Sequence, residues 1–262
     1  SFKEKLIDDL IYTAVFSPNP AIKEAAAFLI RRGAANLGIM PASIQSLYEA
    51  MGRKEVSGFT VPAINIRGIT YHVAQAVFRA AIKGDVGPVI FEIARSEIGY
   101  TKQRPREYAC NVLAAAVKSG WRGPVFLQGD HFQINAKKFA ADREKETQAV
   151  KDLIREAIQA GFYNIDIDTS TLVDLSQTDI KDQQKTNFAL AAELTALIRD
   201  LEPKGITVSV GGEIGEVGGK NSTVEELQVF MDGYLEELQK HGRDHKGISK
   251  ISVQTGTTHG GV

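Results

Sequence analysis

The sequence predicts an α/β protein, a (β/α)8 (TIM) barrel of which about six of the eight strands are present, preceded by a helical extension. Three observations lead there. From residue 56 onward, short apolar segments alternate with amphipathic ones, the rhythm of parallel strands covered by helices. The strand segments are short and apolar, as expected when both faces of a sheet are covered. Polar residues able to do chemistry stand at nearly every strand's C-terminal end: Asn65, Glu92, Asp130 and His131, Asp168, Glu213, then His259. A barrel gathers such ends around one axis, whereas an open doubly wound sheet concentrates them at one switch point.

The elements follow in order. Leu6, Leu10, Ile11 and Val15 recur at helical spacing. Pro18-Asn19-Pro20 breaks that helix, and the Ala-rich stretch 21–32 predicts another, with Gly33 as its stop. Pro41-Ala42-Ser43 opens a third helix that runs to Met51. Strands are predicted at 56–66, 87–93, 123–127, 163–168, 206–210 and 248–253. Helices between them are predicted at 71–83, 107–119, 144–160, 186–201 and 224–240. This divides the chain into an N-terminal helical extension, 1–52, and a barrel domain, 53–262. Two further βα units need about 50–70 residues, so the barrel is expected to continue beyond Val262.

Composition narrows the functional classes. With 31 Lys and Arg against 32 Asp and Glu, the net charge is −1. That balance offers no general attraction to nucleic acid or anionic lipid, so neither is expected as a partner. Apolar residues make up 43% of the chain, enough for a core. A single cysteine, Cys110, excludes a disulfide framework and any Cys-rich zinc module, and its helical apolar setting predicts a core position. No apolar run approaches the roughly 20 residues of a membrane helix. The opening Ser1-Phe2-Lys3-Glu4-Lys5 lacks the apolar centre of a signal peptide, so a cytoplasmic setting is expected.

Four segments carry candidate chemistry. Gly129-Asp130-His131 sets a carboxylate beside a metal-binding residue type, although the tripeptide alone also fits a surface turn. Gly211-Gly212-Glu213-Ile214-Gly215-Glu216-Val217-Gly218-Gly219 surrounds two carboxylates with glycines at a strand end, as a ligand-binding turn or a solvated loop does. Thr257-Thr258-His259-Gly260-Gly261 offers an imidazole followed by backbone amides suited to an anion. Asp166 and Asp168 share one strand face, and two buried carboxylates need a cation or a proton between them. Asp168 is nearer the barrel mouth. His241 and His245 are read as part of a solvated loop, and His72 as a helix-terminal residue.

Taken together, these residues resemble the class II, metal-dependent fructose-bisphosphate aldolases and their tagatose-bisphosphate relatives. Val61 to Gly68 resembles the first strand of that family, Asp130-His131 its Asp-His pair, Thr169 to Ser176 a segment with an acidic residue, Glu213 to Gly219 its Glu-Leu-Gly turn, and His259-Gly260 its second metal histidine. The resemblance covers residues 42 to 262 and implies a metal-dependent lyase. It implies Asp130 and Glu216 as catalytic residues and His131, His259, Glu213 and Asp174 as metal ligands. Asn65, Gly260, Gly261 and Arg95 would bind substrate. The cofactor implied is Zn2+ or another divalent cation, with a monovalent cation as a possible second. The substrate implied is a sugar phosphate similar to fructose 1,6-bisphosphate, cleaved to dihydroxyacetone phosphate and an aldehyde, in a homodimer or homotetramer serving carbohydrate metabolism and glycolysis. A third metal histidine and the main phosphate loops are expected beyond Val262, and Arg67 and Arg95 near strand ends are further anion-binding candidates. Two other readings stay open: a metal-dependent sugar-phosphate epimerase or isomerase, and a non-catalytic barrel-derived subunit.

Overall fold

The structure is a computed structural model that describes residues 2–215, 221–242 and 244–255. In chain order the elements are α1 (Ile7–Phe16), α2 (Pro20–Asn36), β1 (Ile39–Pro41), α3 (Gln45–Gly52), β2 (Ala63–Asn65), α4 (Thr70–Gly84), β3 (Ile90–Ala94), α5 (Arg95–Thr101), α6 (Pro105–Ser119), β4 (Gly123–Gln133), α7 (Ala136–Ala141), α8 (Arg143–Ala160), β5 (Asn164–Asp168), α9 (Ile180–Leu201), β6 (Ser209–Glu213), α10 (Val224–His241) and β7 (Lys250–Ser252). One wide helical turn, Phe2–Leu6, leads into α1. Each of the six predicted strand segments contains a strand. The pairings are parallel, and β2 to β6 are each followed by a helix, the build of a partial (β/α) barrel. The chain divides into two compact units.

The first unit comprises Ser1–Ser43, Ser57–Asp130 and Glu156–Tyr163. Here β2 pairs with β3, and β3 with β4, so that Asn65 stands beside Glu92 and Glu92 beside Gln128. The short β1, which the sequence did not predict, pairs with the start of β4. The core centres on α6, whose residues from Tyr108 to Val117 are all buried. Cys110 lies there, and burial pushes its thiol up to about 11. Helix α2 runs through Gly33 instead of stopping there. A side chain at Gly33 would overlap the Phe2 ring, so this glycine serves close packing and not termination. Asp8 of α1 accepts hydrogen bonds from Tyr71 Oη (2.6 Å) and Lys118 Nζ (2.6 Å), tying the first helix to α4 and α6.

The second unit comprises Ile44–Val56, His131–Arg155 and Asn164–Val262. Here β5 pairs with β6 and β6 with β7. Helices α9 and α10 pack together, with Gly233 of α10 making room for the Phe188 ring of α9. Buried Asn164 starts α3 by accepting the Ile44 amide hydrogen bond at 2.9 Å.

Several boundaries differ from the sequence expectation. Residues 56–62 are not strand; Pro62 lacks the N–H that a ladder needs. Strand β4 runs on to Gln133, past the expected end at 127. The segment predicted at 206–210 moves as a whole, because β6 begins only at Ser209 and carries Gly211, Gly212 and Glu213 inside the strand. The Gly pair is sheet there, not turn. Gly211 stands between Asp166 of β5 and Lys250 of β7, and its missing side chain lets the Lys250 ammonium reach the Asp166 carboxylate at 2.7 Å.

Candidate metal and catalytic site

In the second unit three strands deliver three donors. His131 comes from β4, Asp168 ends β5 and Glu213 ends β6. Their ligand atoms all lie within 4.8 Å of one another, and His131 Nε2 is 3.5 Å from Glu213 Oε2. Two donors on one ion stand at most about 4–4.5 Å apart, so a small side-chain adjustment completes this spacing. One imidazole and two carboxylates form a donor set that suits Zn2+ and other divalent cations. Asp168 and Glu213 are buried, and such a pair calls for positive charge. His131 has φ 40°, a left-handed backbone inside a strand. That conformation is strained for a residue with a Cβ and interrupts the pleat just after Asp130.

Asp168 is itself held in place. Its Oδ1 accepts from Ser170 N (3.0 Å) and Ser170 Oγ (2.7 Å), and its Oδ2 accepts from Gln133 Nε2 (2.5 Å). Behind Glu213 lies a polar network on α9. Buried Asn187 donates to the Glu213 backbone carbonyl (3.0 Å) and to Gln184 Oε1 (2.9 Å), and accepts from Thr169 Oγ1 (2.6 Å). Gln184 donates to the Ile214 carbonyl at 2.6 Å. The end of β6 is thereby tied to the turn after β5.

In the first unit, Asp130 accepts a hydrogen bond from Asn65 Nδ2 at 2.8 Å. The same amide donates to Glu97 Oε2 at 3.1 Å, so both of its N–H groups point at carboxylates. Buried Glu97 also accepts from the Ala94 amide (2.8 Å) and from Arg67 Nε. The hydrogen bond from Arg67 to Glu97 holds the guanidinium charge more firmly than usual. Glu92 pairs with Gln128 Nε2 at 2.5 Å, and Tyr108 Oη donates to the Glu92 carbonyl at 2.8 Å.

Residues 45–262 match the model of the family described as Fructose-bisphosphate aldolase class-II. The chain belongs to this family. Among solved structures, it is similar to a probable tagatose 6 phosphate kinase from Sinorhizobium meliloti 1021, with a TM-score of 0.57 and 20% identity. That match covers 76% of this chain and 50% of the other, so this chain spans about half the length of that protein, and the likeness is one of fold. The carboxyl transferase domain of Rhizobium etli pyruvate carboxylase with pyruvate is a more distant match, with a TM-score of 0.37, 12% identity, 73% of this chain and 26% of that chain. No curated protein matches the chain.

Within this class-II family chain, the site residues expected from the sequence distribute as follows. His131 and Glu213 come together, with Asp168 as the third donor. Asp174 is not in that cluster. It is exposed on the loop after β5, where hydrogen bonds from Ser176 and Gln177 hold its carboxyl below the usual range. Asn65 meets Asp130. Arg95 is half-buried and opens α5. Glu216, His259, Gly260 and Gly261 lie outside the described residues. Glu97, Gln133, Gln184 and Asn187 were not anticipated, and a glutamate three residues after a strand's last residue gives no signal before its partners are known. Among the described residues, no helix is long and apolar enough to cross a membrane.

Proposed function

We propose that this protein is a metal-dependent aldolase, reversibly cleaving a phosphorylated ketose similar to fructose 1,6-bisphosphate into dihydroxyacetone phosphate and an aldehyde. The carrying observation is the His131, Asp168 and Glu213 cluster, with a hydrogen-bonded aspartate as the residue before the histidine. His131, Glu213 and Asp168 would hold the metal, together with His259 by family resemblance. When bound, Zn2+ or another divalent cation supplies Lewis acidity towards the ketose carbonyl.

The chain's own residues supply the rest. Asp130 takes the proton of the C4 hydroxyl as the C3–C4 bond breaks, which releases the aldehyde and leaves the electron pair on the triose fragment. The Asn65 N–H on Asp130 Oδ2 fixes the orientation of that carboxyl. Glu216 is assigned proton return, and the Gly260 and Gly261 amides a phosphate. In this reading the enzyme works as a cytoplasmic homo-oligomer, with a monovalent cation as a possible second ion.

The test supplies the full chain with Zn2+ and fructose 1,6-bisphosphate or tagatose 1,6-bisphosphate and follows triose phosphate release. Release is expected, with loss on chelation, return on adding metal back, and a fall of 100-fold or more (about 10²–10⁴ for a general acid–base group) in Asp130→Asn. A metal-binding protein that rearranges sugar phosphates without forming trioses would make it an isomerase or epimerase. A protein that neither binds metal nor turns over any sugar phosphate would make it a non-catalytic subunit.

A further inference from the structure

Arg67 lies two residues beyond β2 with its side chain 66% exposed, yet its base is anchored in a buried group, because Glu97 has a side chain only 6% exposed. Glu97 Oε1 takes the Arg67 Nε hydrogen bond, while Oε2 takes those of Ala94 N and Asn65 Nδ2. Both carboxylate oxygens are therefore committed, and the ion pair has one defined geometry. A guanidinium carries five N–H donors in a planar fork. Nε is in use, and no hydrogen-bond partner among the described residues engages the two terminal nitrogens. Asn65 connects the same Glu97 to Asp130. The chain then turns through Ile69 (φ 43°) into α4, whose first turn has no side-chain cap.

We propose that Arg67 is the seat for a phosphate group of the substrate, and that Glu97 is the positioning residue that aims it. This rests on the aldolase reading only in taking the anion to be the substrate's own phosphate. A fork fixed at Nε offers its terminal N–H groups to two phosphate oxygens and loses little rotamer freedom on binding. The hydrogen-bonded path Asp130–Asn65–Glu97–Arg67 sets the distance between that phosphate and the proposed base.

The experiment uses the full, metal-loaded chain as wild type, Arg67→Met and Glu97→Gln. Inorganic phosphate is titrated calorimetrically, with acetate as the carboxylate control, and KM and kcat are measured for the phosphorylated ketose. A glutamine has a single acceptor oxygen and cannot serve Asn65, Ala94 and Arg67 together. Both variants are expected to lose phosphate affinity by about tenfold or more, to bind acetate as the wild type does, and to raise KM by a larger factor than they lower kcat. Unchanged phosphate affinity in Arg67→Met overturns the seat, as does a wild type that binds no phosphate. Equal loss of acetate overturns the phosphate assignment in favour of a general anion site. Wild-type affinity in Glu97→Gln overturns its positioning role, and if that variant fails to fold, Arg67→Met still decides the seat and Arg67→Lys tests the fixed fork, which a lysine lacks. Arg67-dependent phosphate binding in a protein that cleaves no ketose would refute the aldolase reading and leave the phosphate seat standing.

Discussion

Replacing Asn187 with alanine tests how the site is held. Asn187 is fully buried and links three partners: Thr169 Oγ1 at 2.6 Å, Gln184 Oε1 at 2.9 Å and the Glu213 carbonyl at 3.0 Å. A buried neutral hydrogen bond contributes about 0.5–1.5 kcal/mol net, and an orphaned partner costs about 1–3 kcal/mol. Three bonds, with some relaxation around the gap, give a loss of about 2–4 kcal/mol. At about 2–4 °C per kcal/mol, the thermal midpoint falls by about 5–15 °C. Urea unfolding followed by circular dichroism reads the free energy, and a metal titration on the folded variant reads the site. Because Asn187 fixes the end of the strand that carries Glu213, divalent metal affinity should also fall by about tenfold or more. Asn187→Asp sharpens the test. It keeps an acceptor for Thr169 but sets an acceptor against the Glu213 carbonyl, so it should be at least as unstable. A loss below about 1 kcal/mol in Asn187→Ala, with metal affinity unchanged, would refute the network's role.

Two further outcomes follow from the packing. Gly211→Ala puts a methyl into the Asp166 carboxylate and 2.9 Å from Lys250 Cε, so it should destabilise the protein by about 1–3 kcal/mol in a denaturant titration; an unchanged midpoint would refute the close approach. Burial alone would raise the Asp8 pKa, but the Lys118 and Tyr71 hydrogen bonds outweigh it and hold the carboxyl below its ordinary 3.8. A depressed folded value means stability that is present above 3.8 and lost as pH falls through the lower folded value. Melting curves from about pH 6 to pH 3 should therefore fall more steeply for the wild type than for Asp8→Asn, and parallel curves would show that the latch carries no linkage.

Six strand segments and the longer helices around them were legible in the sequence, because buried parallel strands are written as short apolar segments and helices as a 3.6-residue period, while the short β1, α5 and α7 were not anticipated. Asp130, His131 and Glu213 were legible for a related reason: a polar residue where an apolar run ends marks a strand's functional end. What lies between those marks depended on the tertiary structure. Asp168 joins His131 and Glu213 while Asp174 stays on an exposed loop, a choice set by where β5 ends against β6. Asp168 closes β5 and was marked by that position, whereas Asp174 was given as a metal ligand by the family resemblance. Gly211 and Gly212 look like a turn until the register puts Gly211 between Asp166 and Lys250. Glu97, Gln184 and Asn187 acquire meaning only from partners far away in the chain, up to 32 residues for Glu97 with Asn65. Local periodicity determines which segments become strands and helices, but a polar side chain's role depends on which other polar groups folding buries with it.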